Sequence, residues 1–275
     1  MPVTADPMLL AQLLVFLLAV GAFAGVLAGL LGVGGGIILV PAFYYGFTLL
    51  GYQSEALMQL CIATSLATIV VTSIRSLHSH NKRGAVDWTV LKTWAPGILI
   101  GSALAVVVAA QLRSSTLQAI FGGLALLVGL YMLFGRARWQ VAPQMPTGPV
   151  LAIFSPLIGF LSVLMGIGGG SFGVPFMTLH GMAIHRAVAT AAGFGLLIAV
   201  PSVIGFAFVP VAVHPPFTLG AINGPTFLVI VSMTILTAPL GARLAHALQP
   251  QRLKRVFGAF LILVALNMVR KAIGY

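Results

Sequence analysis

A stretch of 17 residues occurs twice in this chain, without a gap: Gly25 to Pro41 reads GVLAGLLGVGGGIILVP and Gly159 to Pro175 reads GFLSVLMGIGGGSFGVP. The pairs Gly25/Gly159, Gly32/Gly166, Gly34/Gly168, Gly35/Gly169 and Gly36/Gly170 coincide, as do Leu27/Leu161, Leu30/Leu164, Val40/Val174 and Pro41/Pro175. Chance does not produce such agreement, so the chain is a duplication whose halves must fold alike and pack around a shared centre. Weaker echoes follow in the same order, Ala63-Thr64 with Ala189-Thr190 and Leu117, Phe121-Gly122 with Leu253, Phe257-Gly258. The expected organisation is a first repeat over 1–138, a linker over 139–148 and a second repeat over 149–275.

The solvent of these repeats is set by composition. Of the 275 residues 60% are hydrophobic and 6% charged, where a soluble domain needs about 25% charged residues to cover its surface. Apolar segments run over 8–31, 37–50, 56–77, 88–110, 116–135, 149–165, 171–181, 187–209, 220–243 and 253–270, most of them close to the ~20 residues of a spanning helix. This predicts an all-α, polytopic, multi-pass membrane protein. The first segment outruns the ~7–15 residue core of a signal peptide and residues 1–7 carry no Lys or Arg, so it is expected to be retained. Fourteen Lys and Arg against three acids give a net charge of +11. These basic residues are scattered among apolar spans instead of interleaved with aromatics, so the partner they indicate is the lipid bilayer and not nucleic acid. Cys61, the single cysteine, cannot form an internal disulfide and reads as a small buried apolar residue. Nothing in the sequence fixes an oligomeric state.

Charge also orients the repeats. If all ten segments cross with the amino terminus outside, Arg75, Lys82, Arg83, Lys92, Arg136, Arg138, Arg186, Arg243, Arg252, Lys254 and Arg255 lie inside, and Arg113, Arg270 and Lys271 lie outside. If the two short segments 37–50 and 171–181 turn back within the membrane, the split is eight to six. The positive-inside bias favours eleven to three, which makes the second repeat inverted relative to the first. The loop Ser79 to Asp87 carries Lys82 and Arg83, whereas Pro210 to Leu219 carries no Lys or Arg.

Three consecutive glycines followed five residues later by proline predict non-helical backbone over Gly32–Val40 and Gly166–Val174, because glycine disfavours helix and the residue before proline is pushed toward extended geometry. Pro41 and Pro175 then suit the first turn of a short helix, whose free N–H groups and positive dipole end face the loop. Such broken helices at membrane depth are tolerated where protein buries them or where they line a polar cavity. Two of them related by a pseudo-two-fold axis predict a central site for a small anion. Its expected residues are the backbone of Gly34, Gly35, Gly36, Gly168, Gly169 and Gly170 with the hydroxyls of Thr64, Ser65, Ser171 and Thr190. The competing interpretation is that the glycines only let helices pack closely, which the spacing of Gly21, Gly25 and Gly29 suggests for the first segment.

With its duplicated G-x-GGG-x-x-x-VP loops, the following Ala63-Thr64-Ser65-Leu66 and His185-Arg186-Ala187-Val188-Ala189-Thr190, and the basic turn ending Gly84-Ala85-Val86-Asp87-Trp88, the chain resembles the sulfite exporter TauE/SafE family over nearly its whole length. The resemblance implies a transporter of the bacterial plasma (inner) membrane that handles small anions, with sulfite and organosulfonates as associated cargo. The second repeat departs from the pattern in having Ala191 where the first has Ser65, so a symmetric pair of hydroxyls is not expected.

Enzymatic readings meet obstacles. Gly169-Gly170-Ser171-Phe172-Gly173 matches the G-x-S-x-G pattern of a hydrolase nucleophile, with His180, His185 and His246 following it. No Asp or Glu occurs after Asp87, so a Ser-His-Asp triad cannot be completed. An intramembrane Ser171-His hydrolase and a non-transporting membrane scaffold stand as the alternatives to a transporter. The six histidines come without CxxC, HExxH or an acidic cluster, so neither a metal nor another cofactor is expected. His78 and His80 are expected in an inner loop, and Arg75 at the end of its span, snorkelling toward the headgroups.

Overall fold

The computed structural model describes residues 7–31, 35–135, 140–247 and 250–272. In these, ten helices account for nearly all regular structure: α1 (Pro7–Leu31), α2 (Gly36–Leu49), α3 (Leu57–Lys82), α4 (Trp88–Gln111), α5 (Ser114–Phe134), α6 (Gly148–Leu164), α7 (Gly170–Leu179), α8 (Ile184–Phe206), α9 (Gly224–Ala247) and α10 (Pro250–Ala272). One short antiparallel hairpin, β1 (Thr218–Leu219) and β2 (Ile222–Asn223), precedes α9, with Thr218 opposite Asn223. Among the described residues six helices are long and apolar enough to cross a membrane. Leu99, Ile100 and Leu104 on α4, Leu127 on α5 and Leu228 on α9 stand exposed, as a lipid-facing surface requires.

α3 and α8 lie at the centre: 78% and 61% of their spans are buried, against 22% for α9. α1 and α2 form an antiparallel hairpin, in which Gly35 abuts Ala24 and Gly46 abuts Leu13 and Phe16. α6 and α7 form another, closed where the Val141 N–H donates to the Leu179 carbonyl at 2.7 Å. α1 packs along α9 and α6 along α4, α2 on α3 and α7 on α8, while α5 pairs with α10 and α3 with α8. Matching the first five helices in order onto the last five exchanges each of these contacts for its partner or leaves it unchanged.

Small residues set the helix directions by letting backbones approach. Gly21 meets Ile230 and Met233, and Gly25 meets Thr234 and Thr237, so α1 and α9 run parallel. Gly97 meets Ser155 while Gly159 meets Ile98 and Ser102, so α4 and α6 are parallel too. Gly122 meets Ala265 and Val269 while Gly129 meets Gly258 and Ile262, so α5 and α10 are antiparallel. Gly21 and Gly25 thus serve close packing, as their spacing predicts; the surroundings of Gly29 lie outside the described residues.

The glycine loops are shorter than the sequence predicts. Helix begins at Gly36 and at Gly170, so Val40 and Val174 are helical, and Pro41 and Pro175 are each the sixth helical residue rather than part of a first turn. The reason is the cost of unpaired backbone in an apolar interior. Extended chain at the fully buried Val40 would strand several N–H and C=O groups, whereas a proline within the helix removes one hydrogen bond, and membrane helices accommodate it. Only residues 165–169 are non-helical in the second loop, and Gly35 in the described part of the first. His78 and His80 sit within the carboxy-terminal turns of α3 and not in a loop, because the helix continues past the apolar run to Lys82. Arg75 is exposed near this end.

Candidate functional site

The two glycine loops touch in the middle of the protein. A Cβ on Gly36 would stand 2.5 Å from the Gly166 carbonyl oxygen and 3.1 Å from the Ile167 Cα, closer than any side chain allows. Gly35 and Gly166 have φ of +69° and +60°, the left-handed region open to glycine at little cost. The Ser65 hydroxyl donates to the Gly166 carbonyl at 2.7 Å, fixing the second loop to α3. On the opposite side Gly169 packs on Phe194 and on the Ala191 carbonyl of α8. Ser65 and Ile69 lie midway along α3, and Ala191 to Gly195 midway along α8, so the loops meet at half the depth of the longest helices.

Polarity at this junction is concentrated in the second loop. Gly168, Gly169 and Gly170 are buried, and neither α2 nor α7 has a side chain capping its start. The first N–H groups of both helices therefore lack intrahelical acceptors. Ser171, the second residue of α7, is 3% exposed, and its Oγ is buried without a hydrogen-bond partner. The same holds for Ser162 on α6, three residues before the loop. The aligned positions in the first repeat are Ile37 and Ala28. Ser162 was legible only as a hydroxyl facing an alanine in the alignment, too weak a signal to single it out. Gly34 lies outside the described residues.

Thr64 and Thr190 each accept a backbone N–H from the opposite repeat. The Asn223 N–H donates to Thr64 Oγ1 at 3.0 Å, and the Asp87 N–H donates to Thr190 Oγ1 at 2.9 Å. Each donor residue caps the helix that follows it: Asp87 Oδ1 accepts from the Val90 N–H at 3.1 Å and Asn223 Oδ1 from the Thr226 N–H at 3.0 Å. Gly84-Ala85-Val86-Asp87 and Gly220-Ala221-Ile222-Asn223 are thus a further duplicated motif, both glycines having positive φ, which the sequence analysis missed because only Gly and Ala are identical. Arg186 donates to Asp87 Oδ2 at 3.0 Å. Asn223 instead donates to the Pro216 carbonyl and to Thr218 Oγ1.

These contacts suit anion binding better than bond cleavage. Ser171 Oγ has no hydrogen-bond partner among the described residues, and His180 Nδ1 is engaged with the Phe176 carbonyl at 2.8 Å. Among the described residues no three His, Cys, Asp or Glu side chains come together as metal ligands. What the junction offers is two helix starts and the unpartnered hydroxyl of Ser171.

Known proteins resemble the chain over most of its length. The family described as sulfite exporter TauE/SafE matches residues 17–268. A probable membrane transporter protein of Haemophilus influenzae is 34% identical over 258 residues, covering 92% of this chain and 97% of the relative. One from Methanocaldococcus jannaschii is 24% identical over 94% of this chain and 96% of its own, and one from Xylella fastidiosa 27% identical over 94% and 95%. No solved structure matches the chain.

Proposed function

The chain belongs to the sulfite exporter TauE/SafE family of membrane transporters, and on that premise we propose that it exports a small oxyanion, sulfite or an organosulfonate, held where the two glycine loops meet. The observation that carries this reading is the buried, unpartnered Ser171 hydroxyl at the start of α7. A buried polar group without a partner costs about 1–3 kcal/mol, a cost that a bound anion accepting from it would offset. Backbone N–H groups at the starts of α2 and α7 add donors whose helix dipoles favour negative charge. With Ser162 and Ser171 both on the second repeat, the cargo sits off the pseudo-axis, toward residues 149–275. Gly35 and Gly36, Gly169 and Gly170 admit it by leaving the backbone bare.

An inverted pair of repeats, 1–138 and 149–275 joined by 139–148, is supported by helix direction. Were α2 and α7 to turn back within the membrane, each half would make four crossings, the halves would share one orientation, and α5 would lie parallel to α10. The antiparallel α5–α10 pair instead fits an odd number of crossings per half, and so inverted halves. The hydrolase alternative has no hydrogen-bonded base at Ser171 among the described residues to support it, and a scaffold has no use for the buried donors.

A thermal-shift panel on the purified protein tests the cargo. Sulfite or methanesulfonate should raise the midpoint in a concentration-dependent way, by about 2.7 kcal/mol of stabilisation at 100 times Kd, with chloride giving no shift. Absence of stabilisation by every oxyanion would contradict the reading.

A further inference from the structure

The two cap motifs close the protein at opposite ends of α3 and α8, and they differ in charge. Arg186, Thr190 and Phe194 are spaced i, i+4, i+8 on α8 and so share one face of it. That face runs from the first turn of α8, past the Asp87 cap, to Phe194, which abuts Gly169. The aligned stripe on α3 is Leu60, Thr64 and Thr68. Leu60 is fully buried, and the cap that Thr64 holds is the neutral Asn223. One end therefore carries an ion pair, and the other carries an uncharged equivalent.

Resting on the reading of the chain as an anion transporter, we propose that Arg186 is the residue an anionic cargo engages first, and that its pair with Asp87 is the latch closing the path from that end to the glycine loops. The Arg186 side chain is 50% exposed and that of Asp87 20%. A pair as exposed as this is weak, so an arriving oxyanion can replace the carboxylate on the guanidinium. The guanidinium fork suits two oxygens of such a cargo. Asp87 keeps its bonds to Val90 and Thr190 meanwhile, so α4 stays capped as the latch opens. Lys82 and Arg83, at the end of α3 beside this motif, draw anions to the same mouth. At the Asn223 cap the side chain bonds to the Pro216 carbonyl and Thr218 Oγ1 where Asp87 bonds to Arg186, which favours release there. Capture at the basic end and release at the neutral one is the polarity that export requires.

Ser73, buried on α3 beside Gly195 and between the loops and the Asp87 end, reports on the path. In full-length Cys61→Ala protein carrying Ser73→Cys, reconstituted in liposomes, the rate of modification by a membrane-impermeant methanethiosulfonate is measured from the Asp87 side, with and without sulfite. Asp87→Asn, which keeps a capping side chain, should label about tenfold faster without sulfite. Sulfite should accelerate labelling severalfold in the parent, not in Arg186→Gln, and partly in Arg186→Lys. Equal rates in the parent and Asp87→Asn, or an Arg186→Gln that responds to sulfite as the parent does, would overturn the proposal. The Asp87→Asn arm needs no cargo, so it judges the latch by itself. Failure of the latch alongside sulfite stabilisation of the parent leaves the transporter reading intact; absence of that stabilisation counts against the cargo instead.

Discussion

The Ser65 hydroxyl donates to the carbonyl of Gly166 at 2.7 Å, and Gly36 brings its own backbone against the same oxygen. This junction has no room for a methyl group. Gly36→Ala should therefore lower stability by about 1–3 kcal/mol through overpacking and weaken sulfite binding as well. Gly51→Ala is the control: φ is +81° but the space around it is open, so about 1–2 kcal/mol of conformational strain should appear in thermal unfolding with the sulfite-induced shift unchanged. Equal effects of both variants on binding would return Gly36 to a packing role.

Ser171→Ala should act with opposite signs on the empty and the loaded protein. Removing a buried hydroxyl that has no partner leaves the empty protein as stable or more so. Removing a donor to the cargo should weaken sulfite affinity about tenfold, the equivalent of about 1.4 kcal/mol. Calorimetric titration of sulfite, together with the melting midpoint without sulfite, checks both. Unchanged affinity would take Ser171 out of the site.

Much of this architecture was legible in the sequence because a bilayer restricts the alternatives. The ten apolar runs correspond to the ten helices, and the paired glycine loops to the central breaks. Where those loops end was not legible, since the local preference of Val40 and Val174 before proline gave way to the need to pair buried backbone. Thr64 and Thr190 were expected at the site as the hydroxyls of the echoed Ala-Thr pairs. Their partners, the N–H groups of Asn223 and Asp87, lie more than 100 residues away, and no local pattern reveals a bond over that distance. The Ser65–Gly166 bond was hidden for the same reason.

The inverted arrangement predicts which side each loop faces. Single cysteines introduced in 79–87 and in 210–219, in a Cys61→Ala background, should be labelled from opposite sides of the membrane by an impermeant maleimide. Labelling from one side would mean that the two halves share one orientation.

The shortage of acids bears on energy coupling. Glu55 lies between α2 and α3 with Arg113 3.9 Å away, both side chains largely exposed, and Asp87 caps α4 at its end. Neither is placed mid-span as an ion-binding carboxylate of a pump is. Glu55→Gln and Asp87→Asn should both retain sulfite flux, driven by the anion's own gradient or by its protonation. Abolished flux in either variant, with normal expression and folding, would reveal a carboxylate relay.

Flux itself is the most direct measurement of the central claim. Proteoliposomes containing the purified chain, loaded with radiolabelled sulfite, should release it in a saturable manner, faster than protein-free liposomes, with the rate reduced by Gly36→Ala and by excess methanesulfonate. Release from folded protein at the rate of protein-free liposomes, for sulfite and for sulfonates alike, would contradict it.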